Sequence, residues 1–114
     1  PAFIRLDHAA ALVRAAFGTP PYLVGSATER PDYRDVDLRV ILPDGEFDAL
    51  FAERPALWSL VCLTVSDYLG NASGLPVDFQ IQRATEANAA HAKPRNPLGA
   101  GRLYAGGFAA GWKL

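Results

Sequence analysis

Residues 22–42 read YLVGSATERPDYRDVDLRVIL, and this stretch decides how the rest of the chain is read. An apolar run (Tyr22, Leu23, Val24) ends in Gly25-Ser26, a polar loop follows, and Asp35-Val36-Asp37 opens a second apolar run. Side chains on a strand alternate between faces, so Asp35 and Asp37 project from one side. Val36, Leu38, Val40 and Leu42 fall on the opposite side and supply a buried face. Two neighbouring carboxylates repel each other unless something cationic sits between them. A hard divalent ion such as Mg²⁺ takes oxygen ligands and keeps positions open for phosphate. Gly25-Ser26 reads as a small turn whose backbone N–H groups can approach an anionic phosphate. A phosphate cradle facing a carboxylate pair is apparatus for phosphoryl or nucleotidyl transfer.

A third carboxylate stands further along, in residues 76–82, PVDFQIQ. Alternation puts Asp78, Gln80 and Gln82 on one face of that strand, with Val77, Phe79 and Ile81 on the other. Apolar-Gly-Ser, a loop, Asp-x-Asp in a strand and Asp on a later strand together resemble the DNA polymerase β-type nucleotidyltransferase superfamily. The resemblance spans roughly residues 5–82. It implies an α/β (α+β) fold, a mixed sheet with helices packed on one face. It also implies that Asp35, Asp37 and Asp78 hold Mg²⁺ or Mn²⁺ and are the catalytic carboxylates. Gly25 and Ser26 would then bind the phosphates of an NTP such as ATP. The product would be a nucleotidylated hydroxyl acceptor plus pyrophosphate, the acceptor being a protein side chain, an RNA end or a small molecule.

Arg39 continues the Asp35/Asp37 face, where it can pair with a triphosphate or neutralise the aspartates. Arg30 and Arg34 lie in the loop of eight residues, Ala27 to Arg34, which is short for small members of that family. Lys93, Arg95 and Arg102 form a basic cluster that reads either as a solvated loop or as a contact for an acidic acceptor or a phosphate backbone. His8 and His91 share no metal-ligand spacing, and neither points to zinc.

The chain has 114 residues, half of them hydrophobic and 20% charged, which suits one globular domain over residues 1–114 with a core near 5–82 and an extension over 83–114. A net charge of −1 provides no global field toward nucleic acid or an anionic membrane. Cys62 is the lone cysteine, excludes an internal disulfide, and reads as core packing. No signal peptide and no apolar run long enough for a bilayer is evident, so a cytoplasmic protein without a membrane partner is expected.

Helical spacing of Leu6, Ala9, Ala10, Val13 and Phe17 predicts a helix over residues 5–18 that stops at Gly18. Strands are predicted over 22–24, 35–42 and 77–82. Asp44 reads as an N-cap for a helix bearing Phe47, Leu50 and Phe51. A further helix runs from Leu57 to Leu69 and ends at Gly70-Asn71, and a short one covers 85–92. The glycine- and proline-containing remainder reads as irregular, with Phe108 and Trp112 available to pack on the core or on a second copy, as in a homo-oligomer. Trp58 reads as a core or interface anchor. The rival to an enzyme is a non-catalytic, antitoxin-like module that keeps the fold and acts through a partner protein.

Overall fold

The computed structural model describes residues 1–25, 35–90 and 95–100. Helix α1 (Ala2–Phe17) leads into strand β1 (Tyr22–Val24), followed by β2 (Val36–Leu42). Helices α2 (Asp44–Phe51) and α3 (Pro55–Ser73) connect β2 to β3 (Val77–Arg83), and α4 (Ala84–Ala90) precedes the two-residue β4 (Asn96–Pro97). The sheet order is β3-β2-β1-β4, with β2 and β3 parallel and both other pairings antiparallel. The mixed α/β class expected from the sequence is therefore the observed one.

Parallel strands cannot be joined by a tight turn, and α2 with α3 supplies the long crossover that β2–β3 pairing needs. Val36 N–H donates to Pro76 O at 2.8 Å, which ties together the entrances of the two strands. The register then sets Val36 beside Val77, Leu38 beside Phe79 and Val40 beside Ile81. These alternate residues form the inner face, and Val36, Leu38, Val40, Phe79 and Ile81 are all buried. Leu6, Ala9 and Val13 of α1, Phe51 of α2, and Cys62 and Leu69 of α3 join them in one cluster. The helices α1, α2 and α3 thus share one sheet face. Each fully buried large apolar side chain contributes about 1.5–3 kcal/mol relative to exposure, so this layer is the main stabilising element. None of the described helices is long and apolar enough to cross a membrane.

Three local expectations change. Asp44 is the first residue of α2, not its cap; its carboxylate instead accepts from Thr85 N–H at 3.1 Å and from Thr85 Oγ1 at 2.6 Å. Helix α3 runs through Gly70 and Asn71 to Ser73, and Gly74 ends it in the left-handed region at φ 77°. Residues 96–97 are a strand rather than irregular chain, paired with β1 at Tyr22↔Pro97 and Leu23↔Asn96. Proline fits there because an edge strand can spare an N–H.

Candidate functional site

The residues that carry the candidate chemistry lie on the outer face of β2 and β3. Asp37 and Asp78 are the second residues of their strands and stand directly opposite each other in the parallel register. Arg39 and Gln80 form the next pair, and Ile41 and Gln82 the one after. The same strand period that buries Val36, Leu38 and Val40 therefore collects two carboxylates and a guanidinium on the other side. Asp35 sits just before β2 begins, exposed and outside the hydrogen-bonded ladder.

Arg39 occupies the centre of this face. It is 8% exposed, its Nη1 donating to Leu38 O at 2.9 Å and to Asp78 O at 2.7 Å. Its Nη2 lies 3.5 Å from an Asp78 carboxylate oxygen and 3.9 Å from an Asp37 oxygen. The guanidinium thus lies beside both carboxylates, where it offsets part of their charge. Two buried polar atoms on this face, Arg39 Nε and Gln82 Oε1, have no hydrogen-bond partner among the described residues.

Gly25 closes the site from the β1 side. Val24 pairs with Asp37, so the residue after Val24 is carried past the Asp37 side chain. Gly25 has φ 77°, and a Cβ there would stand 2.6 Å from Asp37 Oδ2. Only glycine permits that approach in that backbone conformation. Gly25 thus meets the carboxylate itself. Ser26, Arg30 and Arg34 lie outside the described residues, as do His91, Lys93, Arg102, Phe108 and Trp112.

Among the described residues, no group of three or more Asp, Glu, His or Cys side chains is placed to hold a metal ion together. Asp37 and Asp78 alone form a hard-oxygen pair. That pair fits the donor chemistry of Mg²⁺, which is commonly bound by one or two carboxylates with substrate phosphates completing the shell. Asp37 and Asp78 are therefore the residues that would hold such an ion, and Asp35 stands apart from them.

A shallow groove of about 210 Å³ adjoins Asp78 and Gln80 along the outer edge of β3, with Trp58, Cys62 and Ser66 of α3 on its other wall. Trp58 Nε1 donates to Ile81 O at 2.8 Å, and Ser66 Oγ accepts from Phe79 N–H at 2.9 Å. These bonds occupy backbone groups on the free edge of the sheet. The sequence reading missed them, because nothing local marks a serine or tryptophan as the partner of a distant strand. Burial pushes the Cys62 thiol up, which suits the packing role expected of it. His8 is exposed on α1. Arg95, read as part of a basic cluster, donates to Ala87 O at 3.1 Å and Asn88 Oδ1 at 3.0 Å, at the end of α4.

Compared with models of known protein families, with characterised proteins and with solved structures, the chain has no match.

Proposed function

We propose that the protein is a metal-dependent nucleotidyltransferase that moves an NMP from an NTP, ATP among the candidates, to a hydroxyl acceptor. The observation that carries this reading is the register pairing of Asp37 with Asp78 on one sheet face, with Gly25 drawn against Asp37. A Mg²⁺ or Mn²⁺ ion at that pair would supply charge stabilisation at the reacting phosphate. Asp37 and Asp78 would hold the ion, and Gly25-Ser26 would receive the terminal phosphates. The acceptor is a protein, an RNA or a small molecule, and an intracellular NTP supply agrees with a cytoplasmic location.

Thermal unfolding with Mg²⁺ or Mn²⁺ plus each NTP, paired with α-labelled NTP incubation in a host lysate, tests the proposal. A ligand present at a hundred times its Kd stabilises the folded state by about 2.7 kcal/mol, so binding must raise Tm. Asp37→Asn is expected to abolish labelling while leaving the metal-free fold intact, since the Arg39 guanidinium keeps Asp78 as its partner.

The second reading is a non-catalytic, antitoxin-like module of the same fold that acts through a partner protein. The Arg39 guanidinium beside both carboxylates favours it, because a side chain already supplies the offsetting charge. Unchanged Tm with every NTP, together with no labelled product from a folded protein, would decide for this module.

A further inference from the structure

The position of Arg39 has a consequence for how a divalent ion reaches the site. Two hydrogen bonds to backbone carbonyls, on Leu38 and Asp78, hold its guanidinium in place. Swinging toward a substrate would break both and leave buried carbonyls to find other donors. The side chain is also enclosed, with Nε wholly buried. Its approaches to the carboxylate oxygens, 3.5 and 3.9 Å, are longer than direct hydrogen bonds. Arg39 therefore offsets the carboxylate charge from a fixed point without clamping either carboxylate in a bidentate fork.

We propose that Arg39 is a built-in counter-ion that holds Asp37 and Asp78 side by side before metal arrives and then opposes a divalent ion at the same pair. This inference rests on the metal-dependent reading above. Among the described residues, one guanidinium stands beside the two carboxylates and offsets part of the charge that would attract a free divalent ion. The phosphates of a nucleotide bring the missing negative charge, so metal and nucleotide bind together and each is weak alone. Arg39 is thus a positioning residue that makes metal loading depend on substrate.

Mn²⁺ binding, followed by electron paramagnetic resonance in the absence and presence of ATP, tests this on the wild type and on Arg39→Gln. Glutamine removes the charge while its amide can still donate to a backbone carbonyl. Without ATP, Arg39→Gln is expected to bind Mn²⁺ roughly tenfold or more tightly than wild type, because the positive charge beside the two carboxylates has gone. ATP should then strengthen Mn²⁺ binding less in the variant than in the wild type. Equal Mn²⁺ affinity of the two proteins would overturn the inference while leaving the metal site standing. Absence of Mn²⁺ binding by either protein, with or without ATP, would overturn the inference and the metal-dependent reading together. Should Arg39→Gln be unfolded without ions, Mn²⁺ is expected to restore its circular dichroism spectrum by replacing the lost charge. Failure of Mn²⁺ to do so overturns the inference, and Mn²⁺ binding by the wild type would then show that the metal site survives it.

Discussion

Gly25 joins the two halves of the candidate site at the level of a single residue. Its φ of 77° and the 2.6 Å separation between a built Cβ and Asp37 Oδ2 act together. Gly25→Ala therefore strains the backbone and displaces the very carboxylate that would hold a metal. The left-handed conformation alone costs a non-glycine residue about 1–3 kcal/mol. Urea unfolding of Gly25→Ala is expected to show a loss in that range, with weaker Mn²⁺ binding alongside. A variant as stable as the wild type, with unchanged Mn²⁺ binding, would mean that neither the turn nor the contact constrains the site. The importance of Gly25 was legible in the sequence, but for a different reason. Gly-Ser after a strand pointed to phosphate approach, whereas the nearby group in the described structure is a side chain of the next strand. That Arg39 meets Asp78 was equally beyond local reading, since Asp78 lies 39 residues later.

Between elements, the outer edge of β3 shows how a strand at the margin of a sheet is kept from pairing elsewhere. Exposed edge donors and acceptors invite association, and α3 lies along this edge and bonds to it. Ser66 Oγ accepts from Phe79 N–H and donates to Cys62 O at 2.8 Å, so one hydroxyl serves both elements. Ser66→Ala leaves the Phe79 N–H without that acceptor, at a cost of about 1–3 kcal/mol when the group is buried. Chemical denaturation should register that loss, and no measurable change would mean that water replaces the hydroxyl. The opposite ends of these strands are tied by charge. Arg83 donates to both Asp48 carboxylate oxygens at 2.9 Å, and Thr85 binds Asp44. The Thr85 hydroxyl lowers the Asp44 carboxyl, and the Arg83 hydrogen bonds lower that of Asp48, below the ordinary value of 3.8. A carboxylate depressed by folding stabilises the native state above its unfolded pKa and loses that contribution as pH falls through the folded one. Asp48→Asn should therefore be less stable than wild type from neutrality down to about pH 4, with the gap closing at lower pH. A gap independent of pH would assign the effect to packing instead of charge. The strands and the long helix were legible because their apolar periods span several residues. The Asp44 pairing and the helix end were not. Gly70 looked like a stop, yet it stays helical where a Cβ would press to 3.3 Å from Leu75 O, a close approach that favours glycine inside the helix.

At the scale of the whole molecule, residues 95–100 return to the far edge of the sheet and lock it to the first helix. Leu98 N–H donates to Pro21 O at 2.9 Å, and Gly99 N–H donates to the buried Asp7 carboxylate at 2.9 Å. Two residues of strand, one of them proline, carry no periodicity, which is why this pairing was not legible in the sequence. The docking is tight. Gly99 has φ 75°, and a Cβ there would fall 2.6 Å from Ala10 O and 2.9 Å from Ala11 N, both backbone atoms that cannot swing aside. Asp7 is 7% exposed, and its second carboxylate oxygen is buried with no hydrogen-bond partner among the described residues, so the Gly99 N–H is an important compensation for burying this side chain. Gly99→Ala must push the segment off α1 and take that donor from Asp7. The consequence should be local first, because the β1–β4 pairing is short while the inner layer around Leu38 and Phe79 is built from other elements. Hydrogen exchange distinguishes the cases. Amides of Leu98 and Gly99→Ala are expected to exchange much faster than the corresponding wild-type amides, with those of Leu38 and Val40 slowed or speeded little. If the β2 amides accelerate to the same degree, the segment 95–100 and the core open as one cooperative unit, and the view of it as a separately docked strap is wrong.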